Sequence, residues 1–386
     1  MDPQALVREM TTWRRDLHAH PEFGFEETRT AALVARTLRS FGDLEVVEGV
    51  GGTGVVASLR GGKSDRAIGL RADMDALRIQ EREGRAHVST NAGVMHACGH
   101  DGHTAMLLGA AKLLAAEGGF DGVVRFIFQP AEEWGKGAAA MLGDGLLARF
   151  PIEEIYGLHN MPGMAIGHFE TRAGPLMSAE DNFEIVLTGR GGHSSRPHEI
   201  AEVMVGACAA VTALQTIVAR RVDPLETAVV SVTELTTDGA RNVLPGEARI
   251  SGDVRSFSPA VSEAVEAEMR RIAEGVAMAH GCAVTVAYTR SFVPLVNHAG
   301  PVRAAIEAAE TVFEPGGVKG DRAPITASED FAQFLLNIAG CFGFIGNGAG
   351  SLPLHNAGFD FDDRSLGYGA RWFAAVARGR LAPGSA

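Results

Sequence analysis

The stretch Val123-Val124-Arg125-Phe126-Ile127-Phe128 decides the predicted fold, because its β-branched and aromatic residues predict a strand. A helical pattern at residues 103–117 precedes it, and an apolar run at residues 67–71 precedes that helix. A further strand is predicted at residues 154–158. Strands that alternate with helices form sheets whose strands run largely parallel. The sequence therefore predicts an α/β domain with a mainly parallel central sheet.

Acidic and imidazole side chains of this region follow the ends of the predicted strands. In chain order they are Asp73, Asp75, Glu132, Glu133 and His159. Ligand sites of open α/β sheets lie at the carboxyl ends of the strands. We therefore expect these side chains to lie close together at one edge of the sheet.

The sequence pattern changes after about residue 178, which indicates a second domain. The predicted order is strand, helix, strand, strand, helix, strand, at residues 183–187, 201–221, 227–232, 248–253, 260–279 and 282–288. This is the order of a split βαβ, ferredoxin-like α+β sandwich. After Pro294 the α/β pattern resumes, with a strand at residues 342–345. We predict a catalytic domain formed by residues 1–178 and 296–386, with residues 179–295 inserted into it.

Composition argues against several classes of protein. The net charge is −12 and the chain has no basic block, so we expect no nucleic-acid partner. No window approaches the roughly 18 apolar residues that a membrane span needs, and we expect no signal peptide. The four cysteines are scattered rather than arranged as a disulfide framework. We therefore expect a cytoplasmic protein without a membrane partner.

Metal-binding side chains are concentrated at residues 95–103, which read Met-His-Ala-Cys-Gly-His-Asp-Gly-His. The glycines predict a loop that can aim several donors at one point. Three other places offer donors at predicted strand ends or in a glycine-rich region. The candidate donors are Cys98, His100, Glu132 or Glu133, His159 and His355. One cysteine, one glutamate and three histidines suit two divalent ions, and they favour Zn, Mn, Co or Ni over Mg or Ca.

Each of these side chains also has an ordinary explanation. An isolated histidine is more often a surface or core residue, adjacent glutamates are usually solvated, and Cys98 alone fits a small buried apolar residue. Their combination at strand ends and glycine loops favours metal binding instead. Neighbouring glutamates can also divide the work, because one can bind metal while the other accepts a proton from the attacking water.

Eight motifs distributed along the chain carry a family resemblance. They are RRDLHAHPE (14–22), RADMDAL (71–77), the Cys98 loop, the Glu132-Glu133 segment, GLHN (157–160), GGHSS (191–195), NVLPG (242–246) and SEDF (328–331). With these motifs the chain resembles the aminoacylase/carboxypeptidase family of dinuclear metallo-amidohydrolases. It is most similar to the branch of hippurate hydrolases, bacterial N-acyl-amino-acid amidohydrolases and plant auxin–amino-acid conjugate hydrolases.

The resemblance implies a role for each residue of the candidate metal site. The implied ligands of two divalent ions are Cys98, His100, Glu133, His159 and His355. Glu132 becomes the general base. Asp75 becomes a carboxylate that orients a ligand, a role that Asp73 could share.

The inserted domain resembles a dimerisation or lid domain. There His193 is expected to reach the active site of a neighbouring subunit and polarise the scissile carbonyl, which implies a homodimer or a dimer-based tetramer. Asn242 and Arg255 match positions that bind the carbonyl or carboxylate of the substrate. Arg78 and Ala357 depart from the family's pattern, since relatives commonly have proline there. The histidines without an implied role are His18, His20, His96 and His103.

The predicted function is metal-dependent hydrolysis of N-acyl-L-amino acids, either hippurate-like or N-acetylated, to a carboxylic acid and a free amino acid. A metallo-carboxypeptidase or dipeptidase that acts on short peptides is the alternative within the same chemistry. The alternatives of other classes are a metal-free amidase with Cys98 as nucleophile and a non-catalytic binder. A cysteine amidase would leave Glu133, His159 and His355 without a role. A non-catalytic binder would retain every candidate ligand and the base without using them.

Overall fold

The computed structural model describes residues 1–384, in which strands and α-helices alternate over much of the chain. The strands are β1 (Glu45–Val50), β2 (Gly54–Gly61), β3 (Ala67–Asp73), β4 (Gly122–Gln129), β5 (Glu154–Met161), β6 (Phe169–Glu170), β7 (Gly174–Met177), β8 (Ala179–Thr188), β9 (Gly192–His193), β10 (Ala228–Thr237), β11 (Val243–Leu244), β12 (Glu247–Ser256), β13 (Ala283–Phe292), β14 (Leu295–Asn297), β15 (Val318–Lys319) and β16 (Ala339–Gly346). The helices are α1 (Pro3–Ala19), α2 (Thr28–Arg39), α3 (His100–Glu117), α4 (Gly137–Gly143), α5 (Leu146–Arg149), α6 (Val203–Leu214), α7 (Thr216–Arg220), α8 (Pro259–His280), α9 (Ala299–Glu310), α10 (Ala332–Leu335) and α11 (Leu366–Arg380).

The chain forms two compact units. The larger comprises Met1–Leu176, Val296–Ala323 and the chain from Glu329 onward, and the smaller comprises Met177–Leu295 and Pro324–Ser328. The predicted division placed residues 177–178 and 324–328 in the larger domain, whereas the structure groups them with the smaller unit. The reason is backbone pairing, because the N–H of Ser178 donates to the carbonyls of Ile325 and Ala327 at 3.2 and 2.9 Å.

An eight-stranded sheet forms the centre of the larger unit, in the order β1-β2-β4-β3-β5-β16-β6-β15. β3 pairs in parallel with β4 and β5, and β5 pairs in parallel with β16. Antiparallel strands flank this parallel centre, since β2 pairs with both β1 and β4, and β6 with β16. The prediction of an α/β fold with a mainly parallel central sheet is confirmed. β1 was not predicted, because half of its residues are exposed and its valines do not alternate with polar residues.

Helix α3 fixes the position of His100, which is its first residue. The helix is mainly apolar after its first turn and is buried along most of its length, as expected for a core helix. It packs closely on α1, since a Cβ at Gly109 would lie 2.2 Å from Sδ of Met10. The hydroxyl of Thr104 donates to the carbonyl of Asp73 at 2.8 Å, which ties the first turn of α3 to the end of β3.

The smaller unit is a four-stranded antiparallel sheet, in the order β10-β12-β8-β13, with α6 and α8 packed against it. β8 and β12 alternate buried and exposed residues, and their buried residues meet those of the two helices in one core. The predicted α+β sandwich is therefore present. The single helix predicted at residues 201–221 is divided into α6 and α7, which meet at Gln215.

Among the described residues, none of the helices combines the length and the apolar character that crossing a membrane requires.

Candidate metal centre

The parallel strands of the larger unit bring the predicted polar side chains to one edge. β3 ends at Asp73, and β4 ends three residues before Glu132. His159 lies near the end of β5, which pairs with β3 and β16. Because these strands run parallel, their carboxyl ends meet at the same edge, where sites of α/β folds lie.

The five predicted ligands form two groups of metal-binding atoms that share one sulfur. The first group contains Cys98, His100 and His159, and the second contains Cys98, Glu133 and His355. Within each group the donor atoms lie within 4.8 Å of one another. Cys98 Sγ is 3.3 Å from His159 Nε2, and His355 Nε2 is 3.4 Å from Glu133 Oε1. This arrangement suits two divalent ions, with Cys98 available to both groups.

Unusual backbone conformations occur beside these donors. Gly99, between Cys98 and His100, has φ +97°, and a Cβ there would lie 2.2 Å from Oδ1 of Asn160. His355 itself has φ +60°. A non-glycine residue in the left-handed region is disfavoured and persists only when its surroundings hold it there. The strained histidine therefore requires anchors elsewhere in its loop.

Asp75 holds two of the predicted ligands in place. Its Oδ1 faces Nδ1 of His100 at 3.2 Å, and its Oδ2 accepts from the backbone N–H of Glu133 at 3.0 Å. His159 is held separately, since its Nδ1 lies 2.7 Å from the carbonyl of Asn160. In both histidines Nδ1 is occupied, which leaves Nε2 for the centre.

The electrostatics of the centre fit a divalent cation. Nε2 of His100 is buried without a hydrogen-bond partner, 3.8 to 3.9 Å from the carboxylates of Asp73, Glu132 and Glu133. Burial lowers the pKa of His100, but the carboxylates of Asp73 and Asp75 outweigh this effect and raise the pKa to about 10. The carboxylates around His100 therefore favour a positive charge at this position.

The adjacent glutamates have opposite electrostatic environments. Burial, together with the neighbouring carboxylates of Glu329 and Glu133, raises the pKa of Glu132 well above its ordinary value. Burial also acts on Glu133, but its hydrogen bond to His355 and the charge of His100 lower its pKa. Glu133 therefore favours the ionised form that binds metal, whereas Glu132 is the better proton acceptor.

Cys98 does not have the environment of a free nucleophile. Burial and the charges of Glu133 and Glu132 raise the pKa of its thiol well above the ordinary value. A reactive thiolate needs the reverse, a positively charged surrounding that lowers the pKa. The alternative of a metal-free cysteine amidase is therefore disfavoured, whereas a bound cation would stabilise the thiolate.

A buried network beside Glu132 was missed in the analysis of the sequence. Arg71, fully buried in β3, donates to Asp73 at 2.8 Å, to Gln129 at 2.8 Å and to Glu329 at 2.9 Å. Asp330 belongs to the same network, and its backbone N–H lies 3.4 Å from Oε1 of Glu132. The signal in the sequence was a charged residue inside an apolar strand, followed far downstream by the Glu329-Asp330 pair.

The remaining predicted site residues lie in the smaller unit. The exposed His193 pairs in register with Val243, and the carbonyl of Asn242 accepts from the N–H of Ser194 at 3.1 Å. Arg255 lies on β12, where its guanidinium already has two carboxylate partners, Glu180 at 2.8 Å and Asp253. Substrate binding by Arg255 and Asn242 stays a prediction.

The four histidines without an implied role differ in their surroundings. His103 joins the centre's support, because Nδ1 lies 2.6 Å from Asp73 and Nε2 accepts from the N–H of Asn160 at 3.0 Å. His18 is buried in a separate network of charged groups. His96 is buried with neither ring nitrogen hydrogen-bonded, and burial lowers its pKa to about 4. His20 is half-buried and caps its own helix by a contact with the carbonyl of Asp16.

Comparison with known proteins agrees with this geometry. Residues 69–379 match the model of peptidase family M20/M25/M40. The chain is 39% identical to hippurate hydrolase of Campylobacter jejuni over 372 residues, which cover 96% of each protein. It is 43% identical to an N-acyl-L-amino acid amidohydrolase of Geobacillus stearothermophilus over 299 residues, 76% of this chain and 80% of that protein.

A solved structure of similar fold comes from Bacillus subtilis and is described as a dinuclear metal binding peptidase from the M20 family. It matches with a TM-score of 0.85 at 34% identity, and the match covers 98% of this chain and 99% of that one. The family model and the relatives together span nearly the whole chain. This chain therefore belongs to peptidase family M20/M25/M40.

Proposed function

We propose that this protein hydrolyses the amide bond of N-acyl-L-amino acids with the help of two divalent metal ions, releasing a carboxylic acid and a free amino acid. The observation that carries the proposal is the pair of donor groups that share Cys98. The substrate class is supported by the relatives named hippurate hydrolase and N-acyl-L-amino acid amidohydrolase.

Cys98, His100 and His159 would hold one ion, and Cys98, Glu133 and His355 the other. Thiolate and imidazole ligands favour Zn, Mn, Ni or Co over Mg or Ca. When bound, such ions acidify water and polarise a carbonyl group. Asp75 would keep His100 and Glu133 in the required orientation, because it contacts both of them.

Glu132 acts as the general base in this proposal. Its carboxylate accepts a proton from the attacking water and passes it to the nitrogen of the departing amino acid. The raised pKa of Glu132, which follows from burial and from the nearby Glu329, improves its ability to hold that proton between the two steps. Its neighbour Glu133 cannot take this role while it binds metal.

His193 and Asn242 would act on the substrate from the smaller unit. His193 is exposed in a glycine-flanked loop, and Ser195 donates to its Nδ1 at 3.1 Å from the backbone and contacts it at 2.8 Å through the hydroxyl. This leaves Nε2 to donate to the scissile carbonyl in the active site of a neighbouring subunit. Asn242 and Arg255 would hold the substrate's carbonyl or carboxylate, although the guanidinium of Arg255 already contacts Glu180 and Asp253.

The smaller unit supports the proposal of a homodimer or a dimer-based tetramer. α6 exposes apolar side chains, with Met204 at 38% and Val205 at 54%. The edge strand β10 exposes Val229 and Leu235. Exposed apolar groups and an open strand edge are typical of surfaces that bind another protein. All four cysteines are free, which supports the proposed cytoplasmic location.

The proposal is tested by stripping the protein of metal and reloading it with Zn, Mn, Ni or Co. Activity is then screened on N-acetyl, N-benzoyl and long-chain N-acyl amino acids and on dipeptides. We expect loss of turnover on stripping and recovery on reloading. Full activity after exhaustive chelation would refute the metal mechanism. Turnover of dipeptides alone would favour a peptidase, and a fully loaded protein without turnover would be a binder.

A pair of cysteine variants provides a matched control. Cys98→Ser should lower the metal content of the purified protein, because a hydroxyl is a poor replacement for a thiolate. Cys208→Ser changes an exposed cysteine outside both donor groups and should leave the metal content unchanged. Equal metal content in both variants would remove Cys98 from the proposed ligands.

A further inference from the structure

We propose that Arg14 is a positioning residue that holds the loop carrying His355 against the helix that begins at His100. The inference rests on the proposed function, because it takes these two histidines as metal ligands. Arg14 touches neither of them. Its effect on the centre would be exerted through carboxylates that lie close to each histidine in the chain.

Arg14 is buried, at 1% exposure, and its guanidinium contacts three carboxylates. Nε donates to Asp363 at 2.8 Å, and Nη1 donates to Asp360 at 2.8 Å. Nη1 also lies 3.5 Å from Asp101. Burying a charge is costly unless it is paired. The three contacts are therefore the reason that this arginine can occupy the interior.

The three carboxylates belong to the two segments that carry the proposed ligands. Asp101 follows His100 in the first turn of α3. Asp360 and Asp363 belong to the segment that follows His355 and leads into α11. Because one rigid guanidinium contacts both segments, it fixes the distance between them.

The loop needs such an anchor because His355 is poorly held by its own surroundings. Its side chain is 53% exposed, and its backbone has φ +60°, which is disfavoured for a histidine. Its N–H donates to the carbonyl of Ala97 at 2.8 Å. Ligand histidines usually have a partner on the second ring nitrogen, and none of the hydrogen bonds of the described residues involves Nδ1 of His355.

A second arginine contacts the same loop, and a chain of charged groups leads from it back to Asp101. Arg85 donates to the carbonyl of Phe359 at 2.6 Å and to Glu81 at 3.0 Å. Glu81 lies 3.1 Å from Nε2 of His18, whose Nδ1 lies 2.8 Å from Asp101. Asp101 is thus also held by His18, which contacts the same carboxylate oxygen as Arg14, so Arg14 connects the loop to an anchored group.

Lysine cannot replace this arginine. The guanidinium presents its N–H groups in a planar fork that reaches several carboxylates at once, whereas an ammonium is a single compact charge. Arg14→Lys keeps the positive charge in the interior but should lose part of the link between Asp101 and the pair Asp360 and Asp363. This variant therefore separates the geometry of the contact from its charge.

The experiment measures the affinity of the intact protein for Zn by competition with a chromophoric chelator, together with the number of ions bound. We expect Arg14→Lys to keep the tighter ion and to bind the weaker ion roughly 10- to 100-fold less tightly, as is typical when a residue that orients a ligand is changed. Arg15→Met is the matched control. Arg15 also contacts Asp363, at 2.8 Å, but it is 51% exposed and contacts neither Asp101 nor Asp360, so both affinities should stay as in the wild type.

A His355→Ala background distinguishes positioning from a general structural role. If Arg14 acts through His355, Arg14→Lys should weaken the second ion no further once His355 is absent. An equal additional loss in that background would overturn the inference, as would wild-type affinities in the single variant.

A second variant is used if Arg14→Lys does not fold. Asp360→Ala removes only the half-buried carboxylate on the loop and must show the same loss of affinity. Wild-type affinities in that variant would overturn the inference. A wild-type protein that binds fewer than two ions would instead contradict the proposed function.

Discussion

The metal centre and the His193 loop differ in how completely their own unit orients them. In the centre, Nδ1 of His100 contacts Asp75, and Nδ1 of His159 contacts a backbone carbonyl. Among the described residues, the ring of His193 is hydrogen-bonded by Ser195 alone, two positions away in an exposed loop. Contacts within the larger unit therefore orient the histidines of the proposed centre, whereas few contacts orient the ring of His193.

The largest effect is expected within the centre, from the two adjacent glutamates. Glu132→Gln should keep both metal ions and bind substrate but lower kcat by roughly 10²–10⁴, the range of general acid–base groups. Glu133→Gln should instead lose metal, because it removes a charged ligand, and added Mn or Zn should restore part of its activity. Metal analysis and steady-state kinetics of both purified variants check this.

The pair of variants also provides its own contradiction. A metal-poor Glu132→Gln protein beside a metal-replete Glu133→Gln protein would show that the two roles are exchanged. The opposite pKa directions of the two carboxyls, raised for Glu132 and lowered for Glu133, would then not correspond to the roles of base and ligand.

The next effect concerns the loop. His193→Ala should lower kcat by roughly 10²–10³, as expected for a donor to a developing oxyanion, and should leave the metal content unchanged. If the loop serves a neighbouring subunit, mixing His193→Ala and Glu132→Gln subunits should restore part of the activity. One site of such a heterodimer contains a wild-type Glu132 and receives a wild-type His193, because a two-fold interface is reciprocal.

The complementation is measured on verified heterodimers after subunit exchange. Each parent variant mixed with itself is the control, and it should stay inactive. Heterodimers as inactive as both parents would show that His193 acts within its own subunit or has no catalytic role. The loop would then resemble the centre in being complete within one chain.

A smaller effect is expected when the substrate's α-carboxylate is masked. The methyl ester of an N-acyl amino acid should be a poorer substrate by about 10–100-fold in kcat/KM, because a charge-assisted hydrogen bond contributes about 1.5–3 kcal/mol. Asn242→Ala should reduce this discrimination if the smaller unit recognises the carboxylate. Equal kcat/KM values for acid and ester in the wild type would show that the carboxylate is not recognised.

The smallest effect is expected on the free energy of unfolding, and it arises from the buried His18 and its carboxylate partners. Burial lowers the pKa of His18, but Asp101 and Glu81 outweigh this effect and raise the pKa to about 9, above its ordinary 6.5. The folded state therefore binds a proton more tightly than the unfolded state, so this stabilisation is complete below pH 6.5 and is lost as the pH rises to about 9. His18→Gln should flatten the fall of the denaturation midpoint over that range.

The half-exposed His20 is the control for this measurement. His20→Gln should keep the pH dependence of the wild type, since the side chain of His20 is 39% exposed and has no buried carboxylate partner among the described residues. The same slope in His18→Gln as in the wild type would show that His18 is not the titrating group.

Much of the centre could be predicted because it depends on local patterns. Strands at residues 67–71, 123–128 and 154–158 are recognised by their apolar side chains, and a parallel sheet brings the groups that follow them to one edge. The position of His355 relative to Glu133 could not be derived in this way, since it lies in an irregular loop. His355 was a candidate donor because it is a histidine in a glycine-rich region, and the family resemblance then implied its role as a ligand.

Other contacts could not be predicted from the sequence, because the two residues that make each contact are distant in the chain. Arg71 and Glu329 are 258 positions apart, and Arg14 and Asp363 are 349 apart. No local pattern indicates which carboxylate a buried arginine will meet. The exchange of Pro324–Ser328 into the smaller unit is a similar case, since it depends on hydrogen bonds between backbone groups.

The class of fold and the types of donor atom follow from the sequence alone, because strand and helix patterns are local and side-chain chemistry is independent of the fold. The electrostatic difference between the adjacent glutamates depends instead on the tertiary structure. Folding places Glu132 among buried carboxylates and Glu133 beside His355 and His100, and in an interior of low dielectric these neighbours set the charge of each group.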